Sequence, residues 1–97
     1  VCCGEMGRTP RINSRGGRDH WAKLAPLLMY GGGITAGQVI GQSTRDGAEP
    51  HTDPIGPKHL IASILQTLFD PGELRLVPSV PAPLSQLVQA EPIPGLV

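Results

Sequence analysis

The sequence predicts an α/β fold of short strands, one clear helix and an extended, proline-rich tail. Three observations predict it. Apolar residues recur at helical spacing through Leu60, Ile61, Ile64, Leu65, Leu68 and Phe69 and make one stripe. Two short apolar runs, Val1-Cys2-Cys3 and Leu27-Leu28-Met29-Tyr30, are bounded by turn residues, the pattern of buried strands. The 97 residues include 13 glycines and 11 prolines, which shorten every element.

Taken in order, Val1 to Cys3 reads as the end of a buried strand, so the chain is expected to begin in mid-strand. Gly4 to Arg18 is loop. Thr9-Pro10 favours extended backbone, and Asn13-Ser14-Arg15-Gly16-Gly17 is turn chemistry. Trp21 to Ala25 is expected to form a short helical turn that Pro26 interrupts. Leu27 to Tyr30 follows as a strand and ends at Gly31-Gly32-Gly33. Gln38 to Gly41 reads as a weaker strand, and residues 42–56 as a polar loop. The helix is expected over 58–69, with Pro57 in the first turn, where its missing N–H costs nothing. Asp70-Pro71-Gly72 stops it. Pro78, Pro81, Pro83, Pro92 and Pro94 then preclude a long helix or a central strand. Residues 1–72 form the folded portion in this reading, and 73–97 a tail wrapped over its surface.

A chain this short buries a modest core, and its three aromatic residues supply few large anchors. Net charge is zero, which gives no overall bias toward nucleic acid or a membrane. The charge is uneven. Residues 1–23 carry Arg8, Arg11, Arg15, Arg18 and Lys23 against Glu5 and Asp19, whereas the remainder is acidic. No aromatics interleave with the arginines, which argues against nucleic-acid binding. No apolar run reaches the roughly 18 residues of a membrane span, and no signal peptide is visible. Cys2 and Cys3 are adjacent; a strand sends their side chains to opposite faces, so they reveal nothing of redox compartment. Both read as small buried residues.

Several residues have side chains suited to chemistry. Asp19 and His20 are both competent ligands for a divalent ion. Being adjacent, they diverge in an extended loop, so that one binds while the other orients a neighbour. The alternative is a loop histidine bonded to backbone, beside Trp21 as a core plug. Glu5 follows a strand, where open α/β sheets place their ligands; otherwise it is an exposed loop acid. Arg8 and Arg18, with Arg11 and Arg15, form a cluster whose guanidinium forks suit phosphate or sulfate oxygens. The alternative is a solvated loop in which Arg8 pairs with Glu5. Gly31 to Gly37 lacks the Lys-Ser or Lys-Thr of a phosphate-binding loop. His51 and His59 read as surface histidines.

Gly4-Glu5-Met6-Gly7-Arg8-Thr9-Pro10, then Asn13, then Gly16-Gly17-Arg18-Asp19-His20-Trp21 resemble the hallmark of the domain-of-unknown-function 1501 family of bacterial proteins. The likeness continues through Gly31-Gly32-Gly33-Ile34, Gly37-Gln38-Val39-Ile40-Gly41 and the helix at 59–69. It covers about residues 1–69, and the tail fits more loosely. The family resembles a branch of the alkaline phosphatase and sulfatase superfamily. That resemblance implies the C-terminal part of an alkaline phosphatase-like α/β/α sandwich, in a larger and often exported or periplasmic protein. It implies divalent metal ions (Zn, Ca, Mg or Mn) held by Glu5, Asp19 and His20, and a phosphate or sulfate ester whose anionic oxygen meets Arg8 or Arg18. The nucleophile and remaining ligands are then expected in an upstream part of the same polypeptide, which leaves this chain inactive by itself.

The sequence departs from the pattern at three places. Glu5 stands where the superfamily has Asp, and Met6 stands where a second ligand His follows. Met6 replaces the family's usual Phe. His59 stands where the family often has an acid at the helix start. The missing second His motivates the alternative of a binding or structural domain with a degenerate metal site, taking anionic surface ligands on its basic loop.

Overall fold

A computed structural model describes residues 1–97. Short strands and helices are mixed along the chain, as the α/β reading requires, in two compact units. One comprises Val1–Gly31 with Ala36–Pro54, and the other Gly32–Thr35 with Ile55–Val97.

The first unit holds all four strands, each two residues long: β1 (Cys2–Cys3), β2 (Gly7–Arg8), β3 (His20–Trp21) and β4 (Leu27–Leu28). They form two separate antiparallel ribbons. In one, Cys2 faces Leu28 and Cys3 faces Leu27. In the other, Gly7 faces Trp21 and Arg8 faces His20. The strands expected at 1–3 and 27–30 are therefore present but not buried. Cys2, Cys3, Leu27 and Leu28 are all exposed, because a two-stranded ribbon covers neither of its own faces. The helical turn expected at 21–25 is absent. Pairing with Gly7 extends Trp21 instead, and a turn follows at 22–23.

The strand expected at 38–41 does not form either. Gly37 and Gly41 take φ of 77° and 84°, left-handed values that bend the chain at both ends of that run. Val39 is 93% exposed as a result. Regular pairing in this stretch is limited to one bridge, Ser43 to Pro50.

The second unit is helical. Helix α1 (Pro57–Leu68) starts with Pro57 in its first turn, as expected, and ends at Phe69, whose backbone is extended. Asp70 stops α1 and starts α2 (Pro71–Leu74) by accepting the Gly72 and Glu73 amides at 2.7 and 3.1 Å. The tail is not wholly extended, because Ala82–Val88 forms α3, which packs on α1. Its prolines fall at the helix entry, where no amide is needed, so they set the start of a helix instead of preventing one.

The buried face of α1 also differs from the apolar stripe. Ala62 and Ser63 are buried, whereas Leu68 is 66% exposed and Ile61 and Phe69 are also exposed. Helix α3 packs on α1, and Val88, Ile93 and Leu96 are buried along with Ala62. Polar side chains fix the tail. Ser63 Oγ donates to the His59 carbonyl and accepts the Ile93 amide, both at 2.8 Å. Gln66 Nε2 donates to the carbonyls of Val88 and Ala90 at 2.8 and 3.0 Å.

Candidate functional site

The β2–β3 ribbon organises the residues that the sequence singled out. Gly7 makes it possible. A side-chain carbon there would lie 1.8 Å from the Leu24 carbonyl oxygen, so only glycine lets residues 21–24 cross over β2. On the facing strand Trp21 is half-buried and donates its indole N–H to the Ala48 carbonyl at 2.7 Å. Lys23 lies over the Trp21 ring, 5.5 Å from its centroid, and pairs with Glu49. These interactions fix β3, and hence the residues before Trp21.

Arg8 and His20 stand directly opposite each other on the ribbon, and both are exposed. Opposed residues of an antiparallel pair share one face, with Cβ atoms about 5 Å apart. Arg8 does not pair with Glu5. Its Nη1 donates to the Arg18 carbonyl at 3.3 Å, and Arg18 Nη1 donates to the Thr9 carbonyl at 2.7 Å. Each guanidinium has five N–H donors, so both retain donors for an anion.

Asp19 precedes His20 and is held along its length. The Thr9 amide donates to its carbonyl at 3.0 Å, and its own amide donates to Thr9 Oγ1 at 3.1 Å. Its Oδ1 accepts from Asn13 Nδ2 at 3.1 Å. Asn13 is itself oriented, since its Oδ1 accepts the amides of Arg15 and Gly17, both at 3.0 Å. That leaves only its amide nitrogen to face Asp19. Glu5 is exposed in the bend between β1 and β2 and makes no hydrogen bond.

The sequence reading missed Thr9 and Asn13 as organisers of this loop. Their turn chemistry was visible, but which groups they bond depends on β3 lying against β2. Elsewhere in this unit, Thr44 and the Ala48 amide bond the Asp46 carboxyl and hold it below the usual carboxylate range.

Asp19 and His20 offer oxygen and nitrogen donors suited to a divalent ion. No group of three His, Cys, Asp or Glu side chains that could hold a metal ion comes together in the chain. Cys2 and Cys3 are free thiols and exposed, which corrects the buried placement expected of them. No helix is long and apolar enough to cross a membrane.

No curated protein and no solved structure matches the chain. The family model described as "Protein of unknown function (DUF1501)" matches residues 1–76, which include the Glu5–Pro10 segment, the Arg18–Trp21 segment, α1 and α2. With that match over most of its length, the chain belongs to the DUF1501 family of proteins of unknown function.

Proposed function

We propose that this chain forms one wall of the active site of a metal-dependent hydrolase of phosphoric or sulfuric esters. In this reading it is the C-terminal part of an alkaline phosphatase-like sandwich and works with further polypeptide of the same protein. Arg8, with Arg18 behind it, holds an anionic oxygen of the ester. His20, Asp19 and Glu5 join donors from elsewhere to hold divalent ions. Such ions supply charge neutralisation on the ester oxygens.

The observation that carries the reading is the Arg8–His20 pair, which stands directly opposite across an exposed, hydrogen-bonded ribbon and so brings an arginine and a histidine to one face. Replacing His20 by Ala in the whole protein tests it. Bound metal is expected to fall, and hydrolysis of an aryl phosphate or aryl sulfate to drop by at least about 100-fold, the upper range for losing a group that only supports a metal ligand. Unchanged metal content and unchanged turnover would remove His20 from the site.

A second reading is motivated by Met6, which follows Glu5 where the superfamily pattern has a second ligand His. Here the same arginines bind an anionic polymer without catalysis. Metal analysis of the purified whole protein separates the two readings, since the binding domain carries no stoichiometric metal.

A further inference from the structure

Thr9 faces Asp19 one step beyond the Arg8–His20 pair. Residues so placed in an antiparallel ladder normally exchange two bonds, each amide donating to the other residue's carbonyl. Only one is made in that form, from the Thr9 amide to the Asp19 carbonyl at 3.0 Å. The return bond goes to the side chain: the Asp19 amide donates to Thr9 Oγ1 at 3.1 Å. The Thr9 carbonyl, freed from the ladder, accepts from Arg18 Nη1 at 2.7 Å, a charge-assisted bond. The hydroxyl proton goes to the Arg11 carbonyl at 2.9 Å, which turns the oxygen lone pairs toward the Asp19 amide.

We infer that Thr9 is the positioning residue of the anion site. Its hydroxyl substitutes for its own carbonyl in the ladder, and that carbonyl then pins the Arg18 guanidinium. The chain of support ends at Arg8, whose Nη1 donates to the Arg18 carbonyl. The inference rests on the reading of Arg8 and Arg18 as anion-binding groups. Its physical advantage is pre-organisation, since a guanidinium already held in place loses less freedom when the anion arrives.

The test compares Thr9→Val, which keeps the shape and loses the hydroxyl, with Thr9→Ser, which keeps the hydroxyl. The probes are inorganic sulfate and inorganic phosphate, followed through the arginine Nε–H signals of the 97-residue chain. Thr9→Ser is expected to bind within about twofold of the parent and Thr9→Val about tenfold more weakly, roughly the worth of one hydrogen bond. Trp21 emission, unchanged, reports that the ribbon persists. A second readout uses no anion: rotation of the Arg18 guanidinium is slow in the parent and in Thr9→Ser, and fast in Thr9→Val.

Parent-like affinity and slow Arg18 rotation in Thr9→Val overturn the inference. So does a Thr9→Ser variant as impaired as Thr9→Val, because keeping the hydroxyl then rescues nothing. If the parent binds neither anion, the anion reading fails, and the rotation measurement alone decides the role of Thr9. If Thr9→Val unfolds, the comparison moves to Arg18→Gln. Thr9→Ser must then leave sulfate affinity intact where Arg18→Gln weakens it about tenfold, and equal weakening overturns the inference.

Discussion

Gly7 is the single buried residue in the first unit, and the reason is geometric. A methyl group at Gly7 would fall within bonding distance of a main-chain oxygen that has no flexible end to move aside. Gly7→Ala is expected to cost about 3 kcal/mol, the upper range for overpacking. Gly17→Ala is the control, since its new carbon would meet only the Asn13 side chain, at 3.7 Å, an ordinary separation. Urea unfolding followed by Trp21 emission compares the two. A Gly7→Ala protein as stable as the control would show that Leu24 is free to move. The motif residues at this site were legible as types, because acid, arginine, imidazole and indole stand out in a glycine-rich loop. The need for glycine at position 7 was not, since it depends on the path of Leu24.

At the scale of elements, α1 owes its start to a histidine that the sequence offers only as a surface residue. His59 is the third helical residue, and its Nδ1 accepts the Gly56 amide at 3.0 Å. A Glu or Gln at that position commonly makes this reach-back bond. Gly56 has no side chain to return it, so the histidine supplies the whole side-chain contribution to the cap. His59→Glu is expected to match or exceed the parent by a few tenths of a kcal/mol, since an acid also suits a helix N-terminus. His59→Leu is expected to lose about 1 kcal/mol. Thermal unfolding of both variants checks the order, and a stable His59→Leu protein would discount the cap.

Periodicity located α1 to within a residue at each end, yet it misread the helix's inner face. Ala62 and Ser63 are buried where a small side chain and a hydroxyl that meets the Ile93 amide are needed, and neither requirement appears in a hydrophobic pattern. Helix α3 is hidden in the pattern because proline breaks a helix interior, and only position in the first turn reverses that meaning.

Across the whole molecule the two units are held by different forces. Every buried apolar side chain, Ala62, Val88, Ile93 and Leu96, belongs to the second unit. The first is held by glycine-dependent backbone crossings and side-chain-to-backbone bonds around Thr9, Asn13 and Thr44. Ser63 matters most to the core because its hydroxyl alone receives the Ile93 amide. Ser63→Ala leaves that buried donor unpaired and is expected to cost about 2 kcal/mol. Faster hydrogen exchange at the Ile93 amide would accompany the loss, and an unchanged rate would show that the amide finds another acceptor. Composition correctly announced a modest core. It could not announce how unevenly that core is shared, because sharing follows from which distant segments meet.

The Thr35 amide donates to the Leu96 carbonyl at 3.0 Å, so a segment from the first half of the chain completes the unit that ends it. Closing so long a loop is entropically slow. Residues 32–35 are therefore expected to order only once the segment around Leu96 is in place. Loss of order in either segment is expected to loosen the other.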